Sequence, residues 1–304
     1  MSFGYQVLGF GGSGTAAVSG NSEGIVGFGE TAAGKVATTN LISDVGVVAS
    51  DVTGVGTARN RLGACEYGGD KGIFGFGNDS SPFTNLTNLV SNAGVVATDT
   101  AGVGTARDLI AACSFGTDKG IFGFGRPNIP PSYMTNLTNL VSNAGVVATD
   151  TAGVGTARNK PGSCEYGTDK AIFAYGAPTT AISNLVSNTG VVASDVAGVG
   201  TARDDIAACS YGGDKGIFAY GYSGGNLNMS NLVSNTGVVG ADVTGVGTAR
   251  YGAAATQYGN DKGIFFGGEP LMNDTNLVSN TGVVATDVST VASDKAHAAA
   301  CSFN

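Results

Sequence analysis

The phrase "GVGTAR" occurs five times in this chain of 304 residues, and each copy ends at an arginine. A sixth, less regular copy, "VASDK", ends at a lysine. These basic residues lie 45 to 51 positions apart: Arg59, Arg107, Arg158, Arg203, Arg250 and Lys295. A period in this range is typical of repeat architectures, in which each unit buries its apolar surface against the next. The fold must therefore be assembled from similar units.

Each unit reads as four short strands separated by turns. In the first complete copy, strand A is "LGACEY", strand B is "GIFGFG", strand C is "TNLVSN" and strand D is "GVVATD". Turn-forming Gly, Asp and Asn residues lie between them, and no stretch shows the apolar spacing of a helix. Four strands per unit with this period predict the blade of a β-propeller.

The two ends of the sequence complement each other. The sixth copy stops after its strand A, "AHAAACSFN", whereas the N-terminal region offers two B-like strands, "YQVLGFGG" and "GIVGFG", followed by C and D strands. The C-terminal strand is therefore predicted to pair antiparallel with an N-terminal B strand, preferably residues 5–11 and otherwise residues 24–29. The closing blade is then shared between residues 1–51 and 295–304. Such a closure removes exposed sheet edges.

The resulting prediction is all-β: one domain over residues 1–304, forming a single six-bladed β-propeller of four-stranded antiparallel blades. The pattern offers more strands than six blades need, and the surplus lies in residues 1–29. We interpret the surplus as an extra hairpin on the closing blade. Seven blades, one of them degenerate, is the alternative.

The composition limits the classes of partner. The net charge is −8, and an acidic surface repels phosphate backbones, so nucleic-acid binding is not expected. No apolar run is long enough to span a bilayer, and no signal peptide is evident, so no membrane partner is expected. A cytoplasmic or virion-associated location is favoured.

The B strands resemble the diglycine strand of the kelch family of β-propellers. "GYQVLGFGG" and "GIFFGG" carry both glycines, whereas the other copies keep one. Strands C and D depart from the kelch pattern, since the chain has no Trp and reads Asn-Leu-Val-Ser-Asn in strand C. The uniform repeats also resemble kelch-like proteins of phages and environmental bacteria. The resemblance implies the fold; members of the family include scaffolds, binding modules and oxidases.

Residues that recur in every copy are predicted to maintain the blade. The basic residue of each copy is expected to bond an Asp or backbone carbonyls, although a ring of arginines around an axial anion is an alternative. Cysteine occupies one equivalent strand A position in five of the six copies: Cys65, Cys113, Cys164, Cys209 and Cys301. Unpaired thiols that pack as small apolar groups are predicted there, with a soft-metal site as the alternative. No metal or cofactor is expected.

Residues that differ between copies are the candidates for ligand binding. One variable zone is the B–C loop. The other follows the basic residue and is predicted to surround one mouth of a central channel, where convergent polar groups can form a site. The candidates are Asn60, Arg61, Asp108, Asn159, Lys160, Asp204, Asp205 and Tyr251. His297, the only histidine, is expected to be structural or on the surface.

These features favour a non-enzymatic binding or structural module that uses loops on one propeller face, such as a virion-associated or interaction protein. Its partner would be a protein or a glycan. The alternative is a lectin-like propeller that binds a glycan or a small polar ligand. An enzyme with a site at the channel mouth is the third hypothesis, because no nucleophile–base pair or metal cluster stands out.

Overall fold

The computed structural model describes residues 21–79, 83–128 and 133–304, and over these residues it is all-β without helices. This confirms the predicted fold class. Within these ranges there is accordingly no helix of the length and apolarity required to cross a membrane. The short strands form small antiparallel sheets.

Six principal sheets each contain a first, a second and a third strand, with the second strand in the middle. Sheets I to V are continuous in sequence. Sheet I contains Gly63–Tyr67, Lys71–Gly75 and Thr87–Val90; sheet II Ala111–Phe115, Lys119–Gly123 and Thr138–Val141; sheet III Gly162–Tyr166, Lys170–Gly176 and Thr180–Val186; sheet IV Ala207–Tyr211, Lys215–Ala219 and Ser230–Val233; sheet V Ala254–Tyr258, Lys262–Phe266 and Asp274–Val278; sheet VI Ala299–Phe303, Glu23–Gly27 and Thr39–Ile42.

The remaining strands have two residues each. Val288–Ser289 extends sheet V as a fourth strand. The others form two-stranded ribbons: Glu30–Thr31 with Gly34–Lys35, and Arg107–Asp108 with Arg126–Pro127.

Sheet VI joins the two ends of the described chain. The C-terminal strand Ala299–Phe303 pairs antiparallel with Glu23–Gly27, and Ile25 lies opposite Cys301. The pairing of a C-terminal strand with an N-terminal strand is as predicted, but the preferred partner was wrong. The strand that pairs belongs to the second candidate segment. Residues 5–11, like most of the predicted extra hairpin, lie outside the described residues.

The predicted strand D is much less regular than expected. In sheet I this segment contacts the third strand only through isolated bridges, Val90 to Val96 and Thr87 to Thr100. The cause is the side chain of Asn88, which donates to Ala97 O at 3.0 Å and to Asp99 Oδ1 at 2.9 Å. A side-chain amide thus replaces part of the backbone ladder. Equivalent asparagines make the same two contacts in the other sheets: Asn40, Asn139, Asn184, Asn231 and Asn276.

The first strands of the sheets contact one another in cyclic order, from I through VI and back to I. At one end of these strands, the hairpin turns are linked by backbone hydrogen bonds between neighbouring sheets. The bonds are Gly68 N to Asp118 O (2.8 Å), Gly116 N to Asp169 O (2.8 Å), Gly167 N to Asp214 O (2.8 Å), Gly212 N to Asp261 O (2.7 Å), Gly259 N to Ser22 O (2.8 Å) and Asn304 N to Asp70 O (3.1 Å). Sheet VI thereby contacts both sheet V and sheet I.

Between neighbouring sheets, the side chain of an arginine packs on an aromatic ring. Phe28 of sheet VI packs edge to face on Phe74 of sheet I, with ring centroids 5.2 Å apart, and the guanidinium of Arg59 lies 4.2 Å above the Phe28 ring. Arg59 also donates to Phe76 O at 2.9 Å and to Asn88 Oδ1 at 2.6 Å. Four further arginines stack in the same way: Arg107, Arg158, Arg203 and Arg250. These fully buried cations each stack on a ring contributed by the preceding sheet.

The five cysteines are free and buried in the first strands. The sulphur of Cys301 lies against Gly72 in the second strand of the next sheet, where a Cβ atom would have no room, and Cys65 lies in the same way against Gly120. Burial raises the pKa of every one of these thiols. They are therefore protonated at neutral pH and pack as small apolar groups.

Candidate binding site

Two residues after each basic position, the backbone turns into the left-handed region. The six φ angles are 58° at Arg61, 53° at Leu109, 55° at Lys160, 55° at Asp205, 61° at Gly252 and 51° at His297. We call these six residues the mouth ring. Only glycine adopts this conformation without a steric cost, which is about 1–2 kcal/mol for other residues. Five of the six residues bear that cost, so surrounding interactions must hold them there.

A closed cycle of backbone hydrogen bonds holds the mouth ring. Each amide donates to the carbonyl of the equivalent residue in the preceding sheet. The bonds are Arg61 N to His297 O (2.9 Å), Leu109 N to Arg61 O (2.9 Å), Lys160 N to Leu109 O (2.8 Å), Asp205 N to Lys160 O (3.2 Å), Gly252 N to Asp205 O (3.0 Å) and His297 N to Gly252 O (2.8 Å). Because the backbone groups satisfy one another, the side chains are free to contact a ligand. They line a cavity of about 120 Å³.

One side of the mouth ring carries a set of mutually paired polar groups. Lys160 Nζ lies 2.9 Å from Asp205 Oδ2 and 3.4 Å from Asp204 Oδ1. Burial opposes the charge on Lys160, but these carboxylates raise its pKa overall. The imidazole of His297 lies 3.7 Å from Asp205 Oδ1. Gly252 leaves room for the imidazole in this position, since a Cβ atom on residue 252 would lie only 2.7 Å from the ring.

His297 is neutral at neutral pH. Burial lowers the pKa of its imidazole, and the positive charges of Arg61 and Lys160 act in the same direction. Asp205 and Glu269 act in the opposite direction without reversing the shift. The imidazole thus offers one hydrogen-bond donor and one acceptor.

The other side of the mouth ring holds a cation without a counterion. Within the described residues, the guanidinium of Arg61 has neither a hydrogen bond nor an ion pair, and its Nε atom is buried without a partner. The other basic side chains of the chain each have a partner. Most are carboxylates, whereas Lys35 bonds Asn78 and Arg158 bonds backbone carbonyls.

The structure brings three of the eight predicted mouth residues to the cavity: Arg61, Lys160 and Asp205. Each of the other five directly precedes a residue of the mouth ring in the sequence. These five pair with the segment that follows the second strand of their own sheet. Asn60 pairs with Asn78, Asn159 with Ala177, Asp204 with Tyr222 and Tyr251 with Glu269, and Asp108 forms an ion pair with Arg126 at 2.7 Å. The side chain of Asp204 still reaches Lys160.

Leu109 belongs to the variable zone predicted at the mouth but was not chosen as a candidate residue, and sequence reasoning missed His297 and Gly252 as members of the mouth ring. The signal was present, because each stands two positions after its basic residue, as Arg61 stands after Arg59. An aromatic group flanks His297. Tyr251 lies 5.9 Å from it between ring centroids, and Tyr222 lies 5.6 Å from Tyr251.

A second, smaller cavity of about 50 Å³ lies deeper among the first strands. Polar residues that follow the cysteine position line it: Glu66, Ser114, Glu165, Ser210 and Gln257. Ser302 contacts the Glu66 carboxylate. Burial raises the pKa of Glu66 and of Glu165, and the charge of Glu165 raises that of Glu66 further. These two glutamates were not predicted from the sequence as site residues.

Neither cavity presents a metal centre: in the part of the chain that the structure describes, no three or more His, Cys, Asp or Glu side chains come together as metal ligands. Comparison with models of known protein families and with curated protein sequences gave no match. The geometry of the mouth ring is therefore the main guide to function.

Proposed function

We propose that the chain is a single-domain, six-bladed β-propeller of the kelch type, in which sheets I to VI are the blades. The cyclic contacts between first strands support this proposal, as do the two cycles of backbone hydrogen bonds that include sheet VI. In this arrangement the first strands surround a central channel, and the mouth ring encircles one end of it. The kelch assignment rests on the diglycine strands described above.

The chain then acts as a non-enzymatic binding module whose ligand enters at the mouth ring. One observation carries this function. The repeats are nearly uniform, yet the mouth ring holds six different residue types: Arg, Leu, Lys, Asp, Gly and His. The repeat requires only a backbone hydrogen bond at this position, so the blade itself gives no reason for the variation. Convergent, dissimilar polar side chains around a cavity are the usual form of a ligand site.

The rim of the mouth favours a glycan as a second candidate ligand. Tyr222 is 40% exposed and packs on Tyr251, which in turn packs on His297. An amphipathic ring beside polar groups presents an apolar face and a hydrogen-bonding edge together. A sugar could place its C–H face on Tyr222 while its hydroxyls reach the polar groups of the mouth.

The test compares the wild-type protein with a variant carrying Arg61→Asn, Lys160→Asn and Asp205→Asn. Asparagine tolerates a positive φ, so the backbone cycle should survive. A small-molecule thermal-shift screen and a glycan array identify a ligand for the wild type. The triple variant should lose that ligand. A control with Asp118→Asn and Lys119→Gln, at a distant hairpin turn, should keep it.

Full binding of the ligand by the triple variant would place the site elsewhere, on the B–C loops. A circular dichroism spectrum of the variant identical to that of the wild type ensures that lost binding reflects the site and not unfolding. If the wild type binds nothing in either screen, the binding-module proposal fails.

A further inference from the structure

The strongest unexplained feature of the cavity is the charge of Arg61. The chain carries a net charge of −8, and its other basic side chains have partners within the described residues. The guanidinium of Arg61 lines the cavity and has no acceptor or counterion among the described residues, and its Nε is buried without a partner. A ligand group that pairs with this cation must be an acceptor, and an anion pairs with it best.

From this geometry we infer that Arg61 binds the carboxylate group of the ligand. The inference rests on the proposed function and names the ligand chemistry of the same site. Guanidinium and carboxylate match as planar groups, and their paired hydrogen bonds are among the strongest in proteins. No other member of the mouth ring can take this role. Lys160 is already paired with two carboxylates, and His297 is neutral.

The opposite side of the ring sets the polarity of the rest of the ligand. Along the cycle of hydrogen bonds, Asp205 stands three positions from Arg61 in either direction. A ligand with its carboxylate at Arg61 therefore directs its other end towards Asp205 and its partner Lys160. The imidazole of His297, which neighbours Arg61 in the cycle, also approaches Asp205. These groups offer both donors and acceptors, as hydroxyl groups require. A hydroxy acid matches both ends.

The volume of the cavity limits what it can enclose. At about 120 Å³ it holds several water molecules or a small organic group but not a whole sugar. A carboxylate with one or two further carbons fits inside. A larger molecule must extend past the rim, where Tyr251 and Tyr222 are placed to contact it. The carboxylate could thus belong to a small organic acid or to a sugar acid.

The experiment is an NMR titration of the full chain with three probes at constant ionic strength: sodium acetate, sodium D-glucuronate and D-glucose. The same titrations are made with Arg61→Asn, Arg61→Lys and Lys119→Gln. Asn keeps the positive φ available, Lys keeps the charge but not the planar fork, and Lys119→Gln removes one positive charge at the distant hairpin turn of sheet II.

We expect a carboxylate to bind the wild type and the Lys119→Gln protein equally, and to bind Arg61→Asn at least about tenfold more weakly. Arg61→Lys should fall between them. Acetate binding as tightly as D-glucuronate indicates a small acid, whereas clearly tighter D-glucuronate binding indicates a sugar acid.

Two results would overturn the inference. One is a carboxylate that binds Arg61→Asn as tightly as the wild type. The other is binding of D-glucose with no response to either carboxylate, which leaves the proposed binding function intact and removes only the role of Arg61. If none of the three probes binds while the ligand screens find an uncharged ligand at the mouth ring, the inference is again wrong and the proposed function stands.

Discussion

At the scale of single residues, the one copy that lacks both the arginine and the aromatic ring shows why the other five copies have them. Five copies stack an arginine on an aromatic ring of the preceding sheet. In the sixth copy the basic residue is Lys295, and the residue that would carry the ring is Gly267. Lys295 Nζ still bonds Asn40 Oδ1 at 2.5 Å and Asp51 Oδ1 at 3.2 Å. An ammonium group is therefore sufficient for the contacts with the Asn and Asp side chains. The aromatic ring occurs only where the basic residue is arginine, because the flat guanidinium stacks on aromatic faces.

Replacing Arg107 with Met should lower the free energy of unfolding by about 3 kcal/mol or more, because it leaves Asn139 Oδ1 and Phe124 O buried without their donor. Arg107→Lys should cost less, since Lys295 shows that an ammonium group can reach the equivalent Asn and Asp. Urea denaturation of both variants measures this. Lys119→Met serves as the surface control, with an expected change within about 0.5 kcal/mol. Equal stability of Arg107→Met and wild type would contradict the role given to the arginines.

At the scale of elements, the first strand of each sheet is the part with most neighbours. It pairs with the second strand of its own sheet and contacts the first strands on both sides. The C-terminal strand Ala299–Phe303 holds this position in sheet VI and buries Ala299, Cys301 and Phe303. Its loss would expose the edge of Glu23–Gly27 and open both cycles of hydrogen bonds. It should therefore behave as part of the core and not as a tail.

Deleting residues 296–304 should cause a large fall in melting temperature or aggregation. The reason is that the deletion removes the pairing with Glu23–Gly27 and the packing of Phe303 together. Differential scanning calorimetry and size-exclusion chromatography measure the two outcomes. Deletion of Asn304 alone, an exposed residue whose backbone bonds Asp70 and Ser22, leaves the strand pairing in place and should cost far less. A nine-residue deletion that melts like the full chain would show that the closure adds nothing to stability.

The elements were predictable to different degrees. The period placed most of the first, second and third strands within one or two residues, because alternating apolar residues and Gly-Asp turns mark them directly. The third strand of sheet III is the exception, since it begins at Thr180, within the predicted B–C loop. The irregular strand D was not predictable, since it depends on where the Asn88 side chain points. The left-handed backbone of the mouth ring was also not predictable, because Arg61, Leu109 and Lys160 carry no residue-type signal for it. The choice between N-terminal partners required the register of Ile25 with Cys301.

At the scale of the whole molecule, the two cavities differ in the charged side chains that line them. The mouth ring combines cations and anions, whereas the deeper cavity holds Glu66 and Glu165 on the first strands of sheets I and III, with serines and Gln257 around them. Both glutamates have a raised pKa. Ionising them inside the molecule therefore costs stability, and this cost depends on pH.

Glu165→Gln should stabilise the protein at pH 8 and make little difference at pH 4. A carboxyl group whose pKa is raised on folding contributes its full stability below its unfolded pKa and loses it as the pH rises through the folded value. Glutamine does not titrate, so the variant should gain about 1 kcal/mol or more at the higher pH, since one unit of pKa shift corresponds to about 1.4 kcal/mol. Urea denaturation at both pH values measures the difference. Glu23→Gln, outside the cavity, is the control, and a variant with no pH-dependent gain would refute this account.

The pairing of Glu23–Gly27 with Ala299–Phe303 also has a consequence for biosynthesis. The two strands are separated by almost the whole described chain, so sheet VI cannot form while the ribosome is still making sheets I to V. Until then the strand Glu23–Gly27 lacks its partner and remains available to other nascent chains. Contacts between such distant residues form slowly. The pairing that completes sheet VI therefore forms after sheets I to V have been synthesised, and until it forms, pairing between copies competes with it.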